Sequence, residues 1–260
     1  MLRNAFICYH YSRKVRPTAN NHSIADQMVA SARRLSKKVQ ALRFSSPVSH
    51  VYNPLHYAWQ PHELYLRRYC ATAKRVVFMG MNPGPFGMVQ TGVPFGEIKA
   101  VREWLGIEGA VKCPTDQHPK RPVSGFACVR SEVSGQRLWG LFADRFGKPQ
   151  AFFAEHVVLN YCPLAFLEET GRNRTPDKLS ANEKQALFDA CDEHLRNAVR
   201  LLRPEWIVGI GEFAYGRATE ALPENSVRRG KILHPSPASP AANRDWANAA
   251  TKQLKQMGVW

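Results

Sequence analysis

Four short apolar runs, "RVVFMG", "HVVLN", "EWIVGIG" and "KILH", limit this chain more than any other feature. Each has the length of a buried strand, and long stretches of helical periodicity separate them. Strands that alternate with helices pair in parallel and are covered on both faces. The pattern therefore predicts an α/β fold: a three-layer α/β/α sandwich around a short, mostly parallel central sheet. In such sheets ligands bind beyond the carboxyl ends of the strands. Three of the runs reach that edge at a polar residue: Asn82, Asn160 and His234. Convergence of these three side chains is the main structural expectation.

The helical stretches have recognisable boundaries. Ile24, Met28, Ala32, Leu35, Val39 and Leu42 recur at three- and four-residue steps, predicting a helix over 24–42. Pro61 suits the first position of a short helix over 61–69. A strand over 75–79 leads into a Gly- and Pro-rich loop, and a helix over 97–105 ends at Gly106. Residues 109–126 contain "CPTDQHPKRPVSG", a loop composition, and 131–146 reads as a helix stopped by Gly147 and Pro149. Ser180 and Glu183 form a capping box for a helix running to Leu202. The last strand is expected to end at His234. The last helix then has Ser239 as N-cap and Pro240 at its first position, and runs to Met257. Residues 24–260 read as one domain. Residues 1–23, which contain no acid, read as a disordered basic arm.

Charge points to the partner. The 260 residues contain 36 Lys and Arg against 21 Asp and Glu, a net charge of +15, and the basic residues recur in clusters between expected elements. Such an excess favours nucleic acid. The six cysteines lie far apart, with no C-x-x-C pair and no histidines at metal spacing, so neither zinc nor an iron–sulfur cluster is expected. They read as reduced, mostly buried thiols. No apolar run approaches the roughly 18 residues of a membrane span.

Two carboxamides and an imidazole suit few reactions. Acyl transfer needs an activated Ser or Cys, and no G-x-S-x-G elbow is present. "GMNPGPFG" is no phosphate cradle either, because its prolines remove N–H donors and no Lys-Ser/Thr follows. A carboxamide can position water where bond cleavage runs ahead of attack, while a histidine stabilises the departing anion. The N-glycosidic bond of a pyrimidine fits that description. An asparagine such as Asn160 can donate to a uracil O4 and accept from N3–H, and cytosine presents the reverse pattern.

"GMNPGPFGMVQTGVPFGE", "NYCPL" and "HPSPASPAAN" together resemble the single-strand-selective monofunctional uracil-DNA glycosylases, a branch of the uracil-DNA glycosylase superfamily. "RFSSPVSHVYNPLHYAW", "HPKRPV", "SEVSGQRLWG" and "GRNRTP" support this, so the resemblance runs from about Leu42 to the C-terminus. It implies that Asn82 positions the hydrolytic water and His234 stabilises the base anion. It implies that Asn160 reads the uracil edge, Phe95 stacks on the flipped base, and Met81 and Gly84 line the pocket near the pyrimidine 5-position. Arg172, Asn173, Arg174 and Lys178 would meet DNA, and Pro235, Ser236, Pro237 and Ala238 would form the wedge. Ala238 stands where family members can carry Arg. No metal or cofactor is implied. The implied partner is single- or double-stranded DNA containing uracil or a 5-substituted uracil, acted on by a monomer. The family leaves an abasic site without lyase chemistry. Localisation would be the nucleus in a eukaryote or the cytoplasm in a bacterium, without secretion. A catalytically inactive DNA-binding relative and a hydrolytic enzyme on a similar sheet are the competing readings.

Overall fold

The computed structural model describes residues 22–260. The expected N-terminal arm, apart from His22 and Ser23, and Cys8 lie outside the described residues. In chain order the helices are α1 (Ile24–Gln40), α2 (Pro54–Tyr57), α3 (Trp59–Tyr69), α4 (Met88–Thr91), α5 (Val133–Phe146), α6 (Pro149–Glu155), α7 (Ala181–Leu202), α8 (Glu212–Ala221) and α9 (Pro240–Gln256). The strands are β1 (Val48–Tyr52), β2 (Val76–Gly80), β3 (His156–Asn160), β4 (Ala165–Glu168), β5 (Asn173–Arg174), β6 (Trp206–Ile210) and β7 (Arg228–Ile232).

The four apolar runs form one parallel sheet in the order β3-β2-β6-β7. Its faces are settled by the two-residue side-chain alternation of strands. Phe78 of β2 packs on Phe142 of α5 and Phe152 of α6. Gly230 of β7 lies on the same face, where a Cβ would strike the Met257 sulfur just past α9. On the opposite face Gly209 of β6 admits the backbone of Tyr215, so α8 lies close against the strand. Helix α7 packs on α8, and α1 packs on α7. The three-layer α/β/α arrangement expected from the sequence is the observed one. One apolar cluster joins all of it, from Met28 to Val259.

The ends of several elements differ from expectation for local reasons. Helix α3 begins at Trp59, so Pro61 sits inside its first turn, and α2 precedes it. The segment expected as a helix over 97–105 is wound as a π-helix over Ala100–Trp104. Pro149 does not merely end α5; it opens α6, where a missing N–H costs nothing. Strand β7 stops at Ile232, two residues before His234, and Asn82 likewise lies two residues past β2. Ser239 precedes α9 without a side-chain cap bond, and the helix kinks at Asp245. The capping box of α7 is present, with Glu183 accepting from the Ser180 N–H at 3.0 Å. Glu183 also accepts from the Ser45 N–H at 2.6 Å, and these bonds lower its pKa to about 2. Cys70, Cys162 and Cys191 are free and buried, while Cys113 is exposed.

A second sheet has no counterpart in the sequence-based reading. Strands β1, β4 and β5 pair antiparallel in the order β1-β4-β5, and the loop over 109–126 is fastened to β1. There Tyr52 donates to the Arg121 carbonyl at 2.7 Å and accepts from the His118 N–H at 2.8 Å. No helix among the described residues is long and apolar enough to cross a membrane.

Burial makes the fold acid-sensitive. His62, His156, His194 and His234 each have a pKa lowered from 6.5 to about 4, with desolvation the main cause. Below pH 6.5 the unfolded chain binds protons at these positions that the folded chain refuses. Stability is therefore full above pH 6.5 and falls as pH drops toward 4. Urea unfolding at pH 7.5, 6 and 5 should show a steadily falling midpoint. A midpoint unchanged over that range would contradict it.

Candidate active site

A cavity of about 440 Å³ opens at the carboxyl edge of the parallel sheet, and Asn82, Phe95, Asn160 and His234 all line it. Met81, Gly84, Asn173, Ser236 and Ala238, all named from the sequence, line it too. Pairing past the strand ends explains the convergence. Gly80 is in register with Asn160, and the Tyr161 and Cys162 N–H groups donate to the Gly80 and Met81 carbonyls at 2.9 Å each. This draws the two loops together and brings the Leu164 carbonyl to Asn82. The Asn82 amide nitrogen donates to that carbonyl at 3.1 Å, which leaves its Oδ1 as the acceptor free for a water.

Gly80 has a steric reason. A Cβ there would stand 2.5 Å from Asn160 Oδ1 and 2.8 Å from Phe95 Cζ, so only glycine lets ring and amide meet over the strand. Phe95 itself sits at φ 52, a conformation that costs a non-glycine residue about 1–3 kcal/mol. Its carbonyl accepts from Trp139 Nε1 at 3.1 Å and from the Glu97 N–H at 2.7 Å, and these bonds hold the strained turn.

The Asn160 amide has a definite orientation. Its Nδ2 donates to the Met88 sulfur at 3.2 Å, and sulfur here has no proton to give in return. Its Oδ1 is buried without a hydrogen-bond partner. A buried acceptor left unpaired costs roughly 1–3 kcal/mol, and a ligand N–H would remove that cost.

His234 is held from both sides. Leu233, just before it, donates to Gln253 at 2.8 Å and accepts from Trp246 Nε1 at 2.7 Å. The Ser236 N–H donates to His234 Nδ1 at 3.1 Å. Nδ1 is therefore an acceptor, and in the neutral ring the proton sits on Nε2. Desolvation keeps the ring neutral, lowering its pKa to about 4. The Phe95 and His234 ring centroids are 6.1 Å apart.

Sequence reasoning overlooked several participants. Arg137 of α5 donates to the Pro235 carbonyl at 3.1 Å and to Asn243 at 2.9 Å, and Asn243 donates to the Pro237 carbonyl at 2.8 Å. These bonds brace the segment after His234. Glu132, just ahead of α5, brings a carboxyl to the cavity wall. Arg130 lies 4.0 Å over the Phe86 ring beside the loop. Of the residues expected to meet DNA, Arg172, Lys178, Pro237 and Ala238 are exposed. Arg174 is engaged within the fold, donating to Glu168 at 3.0 Å and to the Lys178 carbonyl.

Comparison with known proteins identifies the family. Residues 67–256 match the family model "Uracil DNA glycosylase superfamily". The single-strand selective monofunctional uracil-DNA glycosylase of Rattus norvegicus is 48% identical over 241 residues, covering 91% of this chain and 86% of the relative. That of Bos taurus is 47% identical, covering 94% and 90%. The crystal structure of wild-type Pedobacter heparinus SMUG2 has a TM-score of 0.63 at 17% identity, over 88% of this chain and 97% of that one, a likeness of fold. With the three motifs gathered around one cavity and nearly half of all residues shared with these relatives, the chain belongs to the uracil-DNA glycosylase superfamily, in its single-strand-selective monofunctional branch.

Proposed function

We propose that this protein hydrolyses the N-glycosidic bond of uracil, and of 5-substituted uracils such as 5-hydroxymethyluracil, in single- and double-stranded DNA, and leaves an abasic site. The observation that carries this reading is the unpaired, buried Oδ1 of Asn160, set in a cavity with Phe95 and His234. A uracil N3–H is the donor that atom lacks, and uracil O4 can take the N–H that Asn160 gives to the Met88 sulfur. Cytosine offers an unprotonated N3 and an amino group at those positions, leaving two acceptors and two donors opposed.

Chemistry then follows from the geometry. Extruding the base costs a few kcal/mol, and stacking on Phe95 returns about 1–3 kcal/mol. As the bond from C1′ to N1 breaks, its electron pair stays on the base and spreads onto the ring oxygens. His234 Nε2–H donates to O2 and stabilises that anion. The sugar becomes oxocarbenium-like, and water held by Asn82 Oδ1 adds to C1′, releasing a proton. The departing base takes up a proton in its turn. No lysine amine takes part, so no Schiff base forms and the strand stays intact. DNA approaches over the exposed Arg172, Lys178 and Pro237–Ala238 rim. Ala238 makes a shallow wedge, which favours strands that need no unstacking.

Asn160→Asp tests the recognition step. Excision of uracil and cytosine from otherwise identical single strands should change in ratio by at least about tenfold toward cytosine, most clearly at low pH where the carboxyl is protonated. An unchanged ratio would place base selection elsewhere.

A further inference from the structure

Among the described residues Glu132 is the one acid whose carboxyl stands in the wall of the base cavity, and the proposed reaction does not use it. Its Oε2 accepts from the Phe86 N–H at 3.2 Å, while its Oε1 makes no hydrogen bond among the described residues. The carboxyl occupies the place of the side chain that Gly84 lacks: a Cβ on Gly84 would stand 2.7 Å from Glu132 Cδ and 2.9 Å from Oε1. Gly87 is cleared for the same chain, since a Cβ there would lie 2.9 Å from Glu132 Cγ. Two glycines of the loop thus make room for one carboxyl. Burial raises its pKa above 4.5, against the opposing bond from Phe86.

The ring edges of a uracil determine what this carboxyl meets. With N3–H and O4 on Asn160 and O2 on His234, the remaining C5–C6 edge turns to the wall that carries Gly84 and Glu132. We infer that Glu132 is the specificity-determining residue for the group at C5, accepting a hydroxyl-bearing substituent by hydrogen bond and rejecting a methyl. A hydroxymethyl group can pair with Oε1, whereas the methyl of thymine would shield that oxygen from water and offer nothing in exchange. Thymine is then excluded by an unpaired carboxyl rather than by a steric block. This inference rests on the proposed excision of 5-substituted uracils.

Single-turnover excision of uracil, 5-hydroxymethyluracil and thymine from matched single strands tests it, in the wild type, Glu132→Gln and Glu132→Ala. Gln keeps an acceptor for Phe86 and guards against mere loss of folding. Glu132→Ala should keep uracil within about threefold, lose about 10- to 100-fold on 5-hydroxymethyluracil relative to uracil, and gain measurable thymine excision. Glu132→Gln should fall between the two. If the wild type excises both uracils and neither variant changes their ratio, the inference fails while the proposed function stands. An equal loss on all substrates would also overturn it, making Glu132 a support for the loop. A wild type that excises uracil but not 5-hydroxymethyluracil would instead overturn the reading on which the inference rests.

Discussion

His234→Leu should lower the single-turnover rate of uracil excision by on the order of 10²–10³, while DNA affinity stays nearly unchanged. The size follows from what the ring does. The Ser236 N–H fixes Nδ1 as an acceptor, which leaves Nε2–H as a donor aimed by the fold rather than by the substrate. A neutral donor suffices because the base anion is delocalised, and desolvation keeps the ring neutral with a pKa of about 4. The wild-type rate should therefore be level from pH 8 to about 5. It should fall only as the pH nears 4, where protonating Nδ1 sets it against the Ser236 N–H. Leucine fills the same space without a donor, so binding and stacking survive. A loss below about fivefold would remove His234 from the anion's stabilisation, and an acid limb near 6.5 would show a ring that is not desolvated.

Asn82→Ala is expected to cost a similar factor, on the order of 10²–10³, again in the chemical step rather than in binding. An amide is too weak a base to draw a proton from water, so its contribution is placement. That placement depends on the Leu164 carbonyl, which takes Nδ2 at 3.1 Å and turns Oδ1 outward. Leu164 is in turn set by the pairing of Tyr161 and Cys162 with Gly80 and Met81. Burst experiments with excess enzyme separate the two possibilities. A slow burst of full amplitude fits lost water positioning, whereas a normal rate with weakened binding would make Asn82 a substrate contact only.

Much of this site was legible in the chain because its parts follow apolar runs. A buried strand has a strong signature, and the polar residue after it marks the carboxyl edge, so the sequence alone brings Asn82, Asn160 and His234 together. Glu132 could not. In sequence it falls in the first turn of the helix read over 131–146, where an acid ordinarily serves the helix N-terminus, and only the fold shows it ahead of that helix and turned toward Gly84. Arg137 and Asn243 were hidden similarly, since their partners are backbone carbonyls about 100 residues away or in the loop that precedes the last helix.

The second sheet was illegible for another reason. β1 is half exposed, with no continuous apolar face, and β5 is two residues long. Its β4 follows Pro163 and Leu164 so closely that it reads as the tail of the preceding strand. Helix α8 contains Gly216 and buries only three alanines, too faint a stripe to register as periodic. Pro149 could end one helix or begin another, and it begins one.

The most direct test of the account is the release of free base. A single-stranded oligonucleotide with one uracil, incubated with excess protein in EDTA, should yield free uracil and an abasic site in equal amounts. The strand should break only after alkali. Intact uracil under those conditions, or release that requires a divalent metal, would contradict the account.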